Sequence, residues 1–308
     1  MKITGEADFF IKQYGLEDGL RRLRKIGYKN ISYCINTVDD GSTFGTWSER
    51  EIEEHYRLLR DKVRQWGLHI SYVTMDKGIY SHAQPDTFET RKSWCLQAVK
   101  VAAYLGCESV VIRPASIPAH CPDAYQRSKD ILCEVISVMK AEGDKVGVQP
   151  AIENTGELHI YGNRGVELLE LAKEYKVGIL LNPSMAHLLR ERIPCFTTVG
   201  YWDNPARVYP PEAKEIGLVE LLKNHLLGVL LNDTERTMGN PVLPMTGVLD
   251  YREIVKQMGN CSENICLTVG YQPIYKRYRD FLSEESLVNT IAEYFYQLAV
   301  SMDKKGEM

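Results

Sequence analysis

The chain has 308 residues and a formal net charge of −4, so it could form one large α/β barrel or two ordinary domains, and it offers no bulk attraction to nucleic acid. Its eight cysteines are scattered without a CxxC pair, which favours reduced thiols in a cytoplasm over a disulfide framework or a zinc site. The first residues lack the apolar segment of a signal peptide, and no run reaches the ~20 apolar residues of a membrane helix, so we expect a cytoplasmic protein with no membrane association.

Short apolar runs alternate along the chain with longer amphipathic stretches. Several of the longer stretches begin with a capping box, such as Ser48 with Glu51, and several end at a glycine, which is typical of helices. The expected strands are 2–5, 30–35, 69–75, 109–115, 148–155, 177–183, 227–233 and 264–271. The expected helices are 16–26, 48–67, 86–106, 123–143, 165–175, 217–225, 250–259 and 283–301.

Eight strands alternating with eight helices predict a single (β/α)8 barrel that spans 1–308. Several of the strands are continuous apolar runs, as burial of both faces of a parallel sheet requires. A doubly wound sheet would also alternate, but it favours a glycine-rich turn after the first strand, and the sequence there is GEADFF. No linker-like segment divides the chain.

Two connections that follow strands are longer than the few residues usual in such folds, and long loops in compact domains tend to be functional. The first, 185–212, contains several aromatic residues among four prolines, and we interpret it as a stiff lid or a subunit contact. The second, 234–247, follows the seventh expected strand directly.

A carboxylate ends the fifth expected strand, where VQPAIENT runs from apolar residues into Glu153. Charge at the end of a buried strand is unfavourable unless the charge is paired or used. The carboxyl ends of barrel strands form the face that carries the active sites of barrel enzymes. Arg113 ends the fourth expected strand in VIRPA, so we expect its cation to point into the same mouth.

Four segments resemble the xylose isomerase-like barrel family over nearly the whole chain. They are RKSWCLQAVKVAAYLGCESVVIRPA at 91–115, GLEDGLRRLRKIGYKNISY at 15–33, IEN at the fifth strand, and LLND with PMTGVLDY around the seventh. The helix–strand signature of the first segment is moderately specific, whereas the single motifs are weak. The resemblance implies a barrel that acts on a sugar, sugar phosphate or cyclitol, since the family includes isomerases, ketose 3-epimerases, inosose dehydratases and a DNA-repair endonuclease.

Members of that family typically hold one divalent ion (manganese, magnesium, cobalt or zinc) with a Glu, an Asp, a His and a Glu on strands five to eight. The matching positions here are Glu153, Asn182, Leu230 and Gly270. A hard cation requires several oxygen or nitrogen ligands, mostly anionic, so we expect no metal cofactor. A rebuilt site would have to use histidines elsewhere: His82, His120 and His187.

The absence of a second carboxylate at Gly270 disfavours the two-base epimerisation of the family. A one-base isomerisation remains open, with Glu153 as the base and Arg236, which matches a family arginine, or Arg113 as the electrophile. The expected substrate contacts are Arg113, Asn182, Asp233, His187, Trp202 and Tyr271. Alternatively, Glu153 is a structural ion-pair partner, and the chain is a non-catalytic polyol-binding protein or a partner subunit derived from that family. In either case the chain could form a homo-oligomer.

Overall fold

Parallel strands close into an eight-stranded barrel in the computed structural model of the protein. The structure describes the chain except for 36–46, 76–78, 80–87, 122, 200–212, 236–240, 262–263, 271–283 and 306–308. The barrel strands are β1 Lys2–Glu6, β2 Asn30–Ile35, β3 His69–Met75, β4 Ser109–Ile112, β5 Gln149–Glu153, β6 Gly178–Leu181, β7 Leu226–Leu231 and β10 Cys266–Val269. Their order around the barrel is β1-β10-β7-β6-β5-β4-β3-β2, which confirms the predicted fold.

Helices surround the barrel strands. They are α1 Ala7–Tyr14, α2 Leu16–Ile26, α3 Glu49–Gln65, α4 Phe88–Leu105, α5 Ala124–Val146, α6 Gly165–Tyr175, α7 Pro183–Val199, α8 Glu215–Leu222, α9 Tyr251–Met258 and α10 Glu284–Lys305. The capping box at α3 is confirmed, because Ser48 Oγ accepts from the Glu51 N–H at 3.3 Å and Glu51 Oε2 accepts from the Ser48 N–H at 2.7 Å. No helix within these ranges has the length and apolarity needed to span a membrane.

The prediction of a long loop at 185–212 is wrong over the first half of that segment. Residues Pro183–Val199 form α7, and 200–212 lie outside the described residues. The helix begins with a proline, whose fixed φ suits the first helical position, and Ala186 and Leu189 are buried at helical spacing. The prolines and aromatic residues further along the segment masked this signal in the sequence.

The helix α1 was also missing from the sequence-based prediction. It packs directly on α2 at Gly19, where a Cβ would lie 2.9 Å from the backbone carbonyl carbon of Phe10. A glycine therefore permits this close helix–helix approach. In the second expected long loop, 234–247, the short strand β9 (Pro241–Val242) pairs antiparallel with β8 (Asp233–Thr234).

The interior of the barrel is a small core separate from the larger one between strands and helices. Tyr72 crosses this interior, and its hydroxyl donates a 2.7 Å hydrogen bond to Thr268 Oγ1 on β10. The buried residues of the interior core are Tyr72, Val111, Ala151, Leu180, Leu230 and Cys266. Since side chains alternate along each strand, Arg113, Glu153 and Gly270 also face inward, at the carboxyl end of the barrel.

Candidate functional site

An ion pair between two neighbouring strands lies at the carboxyl end of the barrel. Ile112 of β4 pairs in register with Ile152 of β5, so the next residues, Arg113 and Glu153, lie side by side. Arg113 Nε donates a hydrogen bond to Glu153 Oε2 at 2.9 Å. The sequence predicted both residues at this end, and the structure brings them together as a pair.

The two partners differ in their access to solvent. The Glu153 side chain is 7% exposed, whereas the Arg113 side chain is 46% exposed. The carboxylate of Glu153 raises the pKa of Arg113, against the opposing effect of burial. The solvent-facing part of the pair is therefore a guanidinium, a group that recognises oxyanions and polarised carbonyl oxygens.

Asn182 contacts the second carboxylate oxygen. Its Nδ2 donates to Glu153 Oε1 at 3.3 Å, while its Oδ1 accepts from the Met185 N–H at 3.3 Å, in the first turn of α7. The side chain therefore caps the helix and orients the carboxylate at once. Asn154 holds the Asn182 backbone in place, through hydrogen bonds of 3.0 Å to its C=O and 2.7 Å from its N–H.

Two acidic residues near the mouth were missed by the sequence reasoning. Glu6 ends β1, level with Gly270, and a Cβ built at Gly270 would lie 3.7 Å from Glu6 Oε1. Asp8 follows at the start of α1; burial raises its pKa, and Lys12 and Arg113 oppose that rise. The sequence carried a signal that could have identified Glu6, because Glu6 ends a strand with a carboxylate just as Glu153 does.

Asp233 braces a loop. Its carboxylate accepts hydrogen bonds from the backbone N–H groups of Thr234 at 2.8 Å, Gly247 at 3.0 Å and Leu249 at 3.2 Å. The residue is 1% exposed. The three hydrogen bonds hold the connection after β7, so the geometry is that of a structural carboxylate.

His187 lies in a separate buried cluster on α7. Its Nδ1 is 3.1 Å from Glu215 Oε1 and 3.0 Å from Arg190 Nη2, so this nitrogen is already engaged. Its Nε2 is buried without a hydrogen-bond partner in the described part of the chain. The contacts of His187 join α7 to α8, and the structure does not place it against Glu153.

The remaining candidate site residues (two substrate contacts, one electrophile and two replacement metal ligands) are either exposed or outside the described residues. Arg236, Trp202, Tyr271 and His82 lie outside the described residues. His120 is exposed on the connection after β4.

The donor set at the mouth does not fit the divalent ion that the resemblance implies. Glu153 accepts from Arg113 and Asn182, so a cation and an amide N–H surround the carboxylate where a metal would bind. Leu230 and Gly270 offer no side-chain ligand. Among the described residues, no three His, Cys, Asp or Glu side chains cluster in a way that could hold a metal.

Comparison with known proteins identifies one family. A family model described as a xylose isomerase-like TIM barrel matches residues 20–281. No curated protein sequence gives a significant match.

Solved structures with the same fold include two epimerases and a metal complex. A D-psicose 3-epimerase crystallised with D-fructose has a TM-score of 0.68 and 12% identity, over 99% of this chain and 100% of that one. An L-ribulose 3-epimerase has a TM-score of 0.64 and 13% identity, over 100% and 97% of the two chains. A xylose isomerase-like barrel protein from Mycobacterium smegmatis in complex with magnesium has a TM-score of 0.60 and 15% identity, over 98% and 97%. Such low identities show a shared fold alone.

Proposed function

Because the chain belongs to the xylose isomerase-like TIM barrel family, we propose that it acts on a sugar, a sugar phosphate or a cyclitol at the carboxyl end of its barrel. Two of its structural neighbours are ketose 3-epimerases by name, which supports a polyhydroxylated substrate. The fold by itself would support many reactions, so the proposal depends on the residues of the site.

The Arg113–Glu153 pair carries the proposal. A buried carboxylate beside a half-exposed guanidinium combines a proton acceptor with a cation, at the barrel face where TIM-barrel enzymes react. Asn182 and Asn154 fix the orientation of the carboxylate. Such positioning lowers the reorganisation needed during a reaction.

The reaction that fits these groups is a one-base aldose–ketose isomerisation. Glu153 removes the proton from the carbon next to the substrate carbonyl, and the electron pair of that C–H bond forms the enediolate. Arg113 stabilises the negative charge on the enediolate oxygen. Glu153 then returns the proton to the neighbouring carbon, while the hydroxyl proton moves from one enediolate oxygen to the other, so no proton or electron is gained or lost overall.

Non-catalytic polyol binding is the second candidate, and one observation favours it. Both oxygens of Glu153 already accept hydrogen bonds, and the residue is 5% exposed. In that case the half-exposed Arg113 and its neighbours bind hydroxyl groups, and no proton moves.

Incubation in D2O distinguishes the two candidates. A panel of aldoses, ketoses and inososes is followed by NMR for deuterium exchange at carbon, and binding of each compound is measured by calorimetry. We expect exchange with one class of compound, reduced at least a hundredfold in Glu153→Gln. Glu174→Gln, on the outer helix α6, is the matched control and should retain full exchange.

Binding of a sugar without any exchange in the unmodified protein would support the non-catalytic candidate. Exchange that Glu153→Gln leaves unchanged would remove Glu153 from the mechanism.

A further inference from the structure

An open pocket lies at the other end of the barrel, away from Arg113 and Glu153. Its volume is about 500 Å³, within the range of small-molecule sites. It is lined by the residues at the beginnings of the barrel strands, including Ser71 of β3, Ser109 of β4 and Cys266 of β10. The amino end of a TIM barrel is usually filled by side chains, so the open space needs a physical cause.

Small residues and two β-bulges create this space. Ile31 and Ser32 pair with Ile70 and Tyr72, so Ser71 is an extra residue on β3. The same irregularity between β6 and β7 makes Leu227 an extra residue on β7. A bulge redirects the inserted side chain, and both inserted side chains line the pocket. At Gly178 there is no side chain to fill the gap.

The two bulges lie on opposite sides of the pocket. Three strands separate β3 from β7 in either direction around the barrel. One side therefore presents the hydroxyl of Ser71 and the other presents the apolar side chain of Leu227. A ligand that combines oxygens with a carbon skeleton would match both walls.

The Ser71 hydroxyl is available for such a ligand. Its Oγ is buried and makes no hydrogen bond of normal geometry to the described residues. The neighbouring thiol of Cys266, whose pKa is raised by burial, is only a weak partner. Buried hydroxyl groups are normally satisfied, so a ligand oxygen would complete this one.

The rim of the pocket is positively charged. Lys2, Lys173 and Lys176 line it, against one lining carboxylate, Glu108. The three lysines make no ion pair with any residue that the structure describes. Of the three, Lys2 also lowers the pKa of His69 nearby, after the larger effect of burial and together with Arg64, with Glu108 opposing.

Lys176 has an unusual backbone conformation at this rim. Its φ of 55° lies in the left-handed region, which non-glycine residues rarely adopt. Gln149 Nε2 donates to its carbonyl oxygen at 2.5 Å, so a lining residue on β5 holds the turn. The rim lysine is thereby attached to the barrel rather than to a free loop.

We propose that this pocket binds a small organic anion. Its phosphate or carboxylate group lies among Lys2, Lys173 and Lys176, and its carbon skeleton lies between Ser71 and Leu227. Since TIM-barrel chemistry takes place at the opposite face, this ligand is distinct from the substrate. The proposal does not depend on the reaction at Glu153.

Calorimetry at constant ionic strength tests the proposal with glycerol 3-phosphate, malate and uncharged glycerol. We expect saturable binding of at least one anion with a stoichiometry of one, and no binding of glycerol. The variant Lys173→Gln/Lys176→Gln should weaken that binding at least tenfold. Comparison of the two anions shows whether the site takes phosphate, carboxylate or both.

Two control variants test whether the anion binds at this pocket. Lys25→Gln/Lys145→Gln makes the same charge change in the last turns of α2 and α5, without touching the pocket, and should leave the affinity unchanged. Arg113→Gln removes the cation at the mouth and should also leave it unchanged. The proposal is overturned if neither anion binds, or if either control weakens binding as much as the pocket variant does.

Discussion

Glu6 and Glu153 end strands on opposite sides of the barrel, since three strands separate β1 from β5 in either direction. Both carboxylates affect the electrostatics of the barrel interior, where Tyr72 lies. The pKa of Tyr72 is raised mainly by burial and by Cys266, and both carboxylates add to that rise. A substrate held in the mouth would therefore have an acidic side chain on each side.

Glu6, beside Gly270, could take the place of the second carboxylate that Gly270 lacks, which would add inversion at carbon to the one-base isomerisation. A group on the opposite face could return the proton that Glu153 removes, so Glu6→Gln should slow epimerisation of a reacting substrate by about 10²-fold or more. Deuterium exchange that depends on Glu153 should persist. NMR in D2O measures both rates in one sample.

Gly270→Ala is the control, because its Cβ would meet Glu6 Oε1 at 3.7 Å, an ordinary contact, and leave the carboxylate in place. If Glu6→Gln leaves inversion as fast as in the unmodified protein, Glu6 is not the second base.

Loss of the guanidinium at Arg113 should destabilise the fold. Arg113→Ala leaves the buried Glu153 carboxylate without its charged partner, which we expect to lower the free energy of unfolding by about 1–3 kcal/mol. Water can reach the half-exposed Arg113, so the lower part of that range applies. Arg113→Lys keeps the charge and should lose less. Urea denaturation compares the stabilities of the unmodified protein and the two variants. Equal midpoints for all three proteins would contradict the expected destabilisation.

The stability of the protein at acid pH should depend on Glu215. Burial raises its pKa, but hydrogen bonds from His187 and the backbone and the charge of Arg190 outweigh burial, so the pKa is lowered from its ordinary value of 4.5. A lowered pKa in the folded state stabilises the protein above the unfolded value, and this contribution disappears as the pH falls through the folded value.

Glu215→Gln should therefore destabilise the protein more at pH 6 than at pH 3. Denaturation curves at both pH values measure the difference. Glu220→Gln removes an exposed carboxylate from the same helix, and its effect on stability should differ little between the two pH values. A constant effect of Glu215→Gln across this range would mean that its ionisation is not linked to folding.

Purified protein should contain well under one equivalent of manganese, zinc, cobalt or magnesium. The reason is that Arg113 and Asn182 surround the Glu153 carboxylate, while Leu230 and Gly270 offer no side-chain ligand. A chelator should leave the melting temperature unchanged. Stoichiometric metal in elemental analysis would direct attention to His82, His120 and His187 as ligands.

The elements of the barrel could be predicted from local patterns. Apolar runs, capping boxes and helix-ending glycines depend on near neighbours in the chain, so the succession of strands and helices and the place of Glu153 at the end of β5 followed from them. Local patterns did not identify α7, where prolines and aromatic residues suggested a loop. Glu6 was not predicted as a site residue, because the first strand is short and only partly apolar.

The alternation of strands and helices and the acidic end of β5 are therefore properties that the sequence by itself determined. The tertiary structure decided which groups the side chains of these residues contact. Arg113 pairs with Glu153 because the register of β4 and β5 places them side by side, and Asp233 braces a loop because three backbone N–H groups converge on it. The pocket at the amino end arises from two shifts of strand register. Each depends on contacts between residues far apart in the chain, which local patterns do not encode.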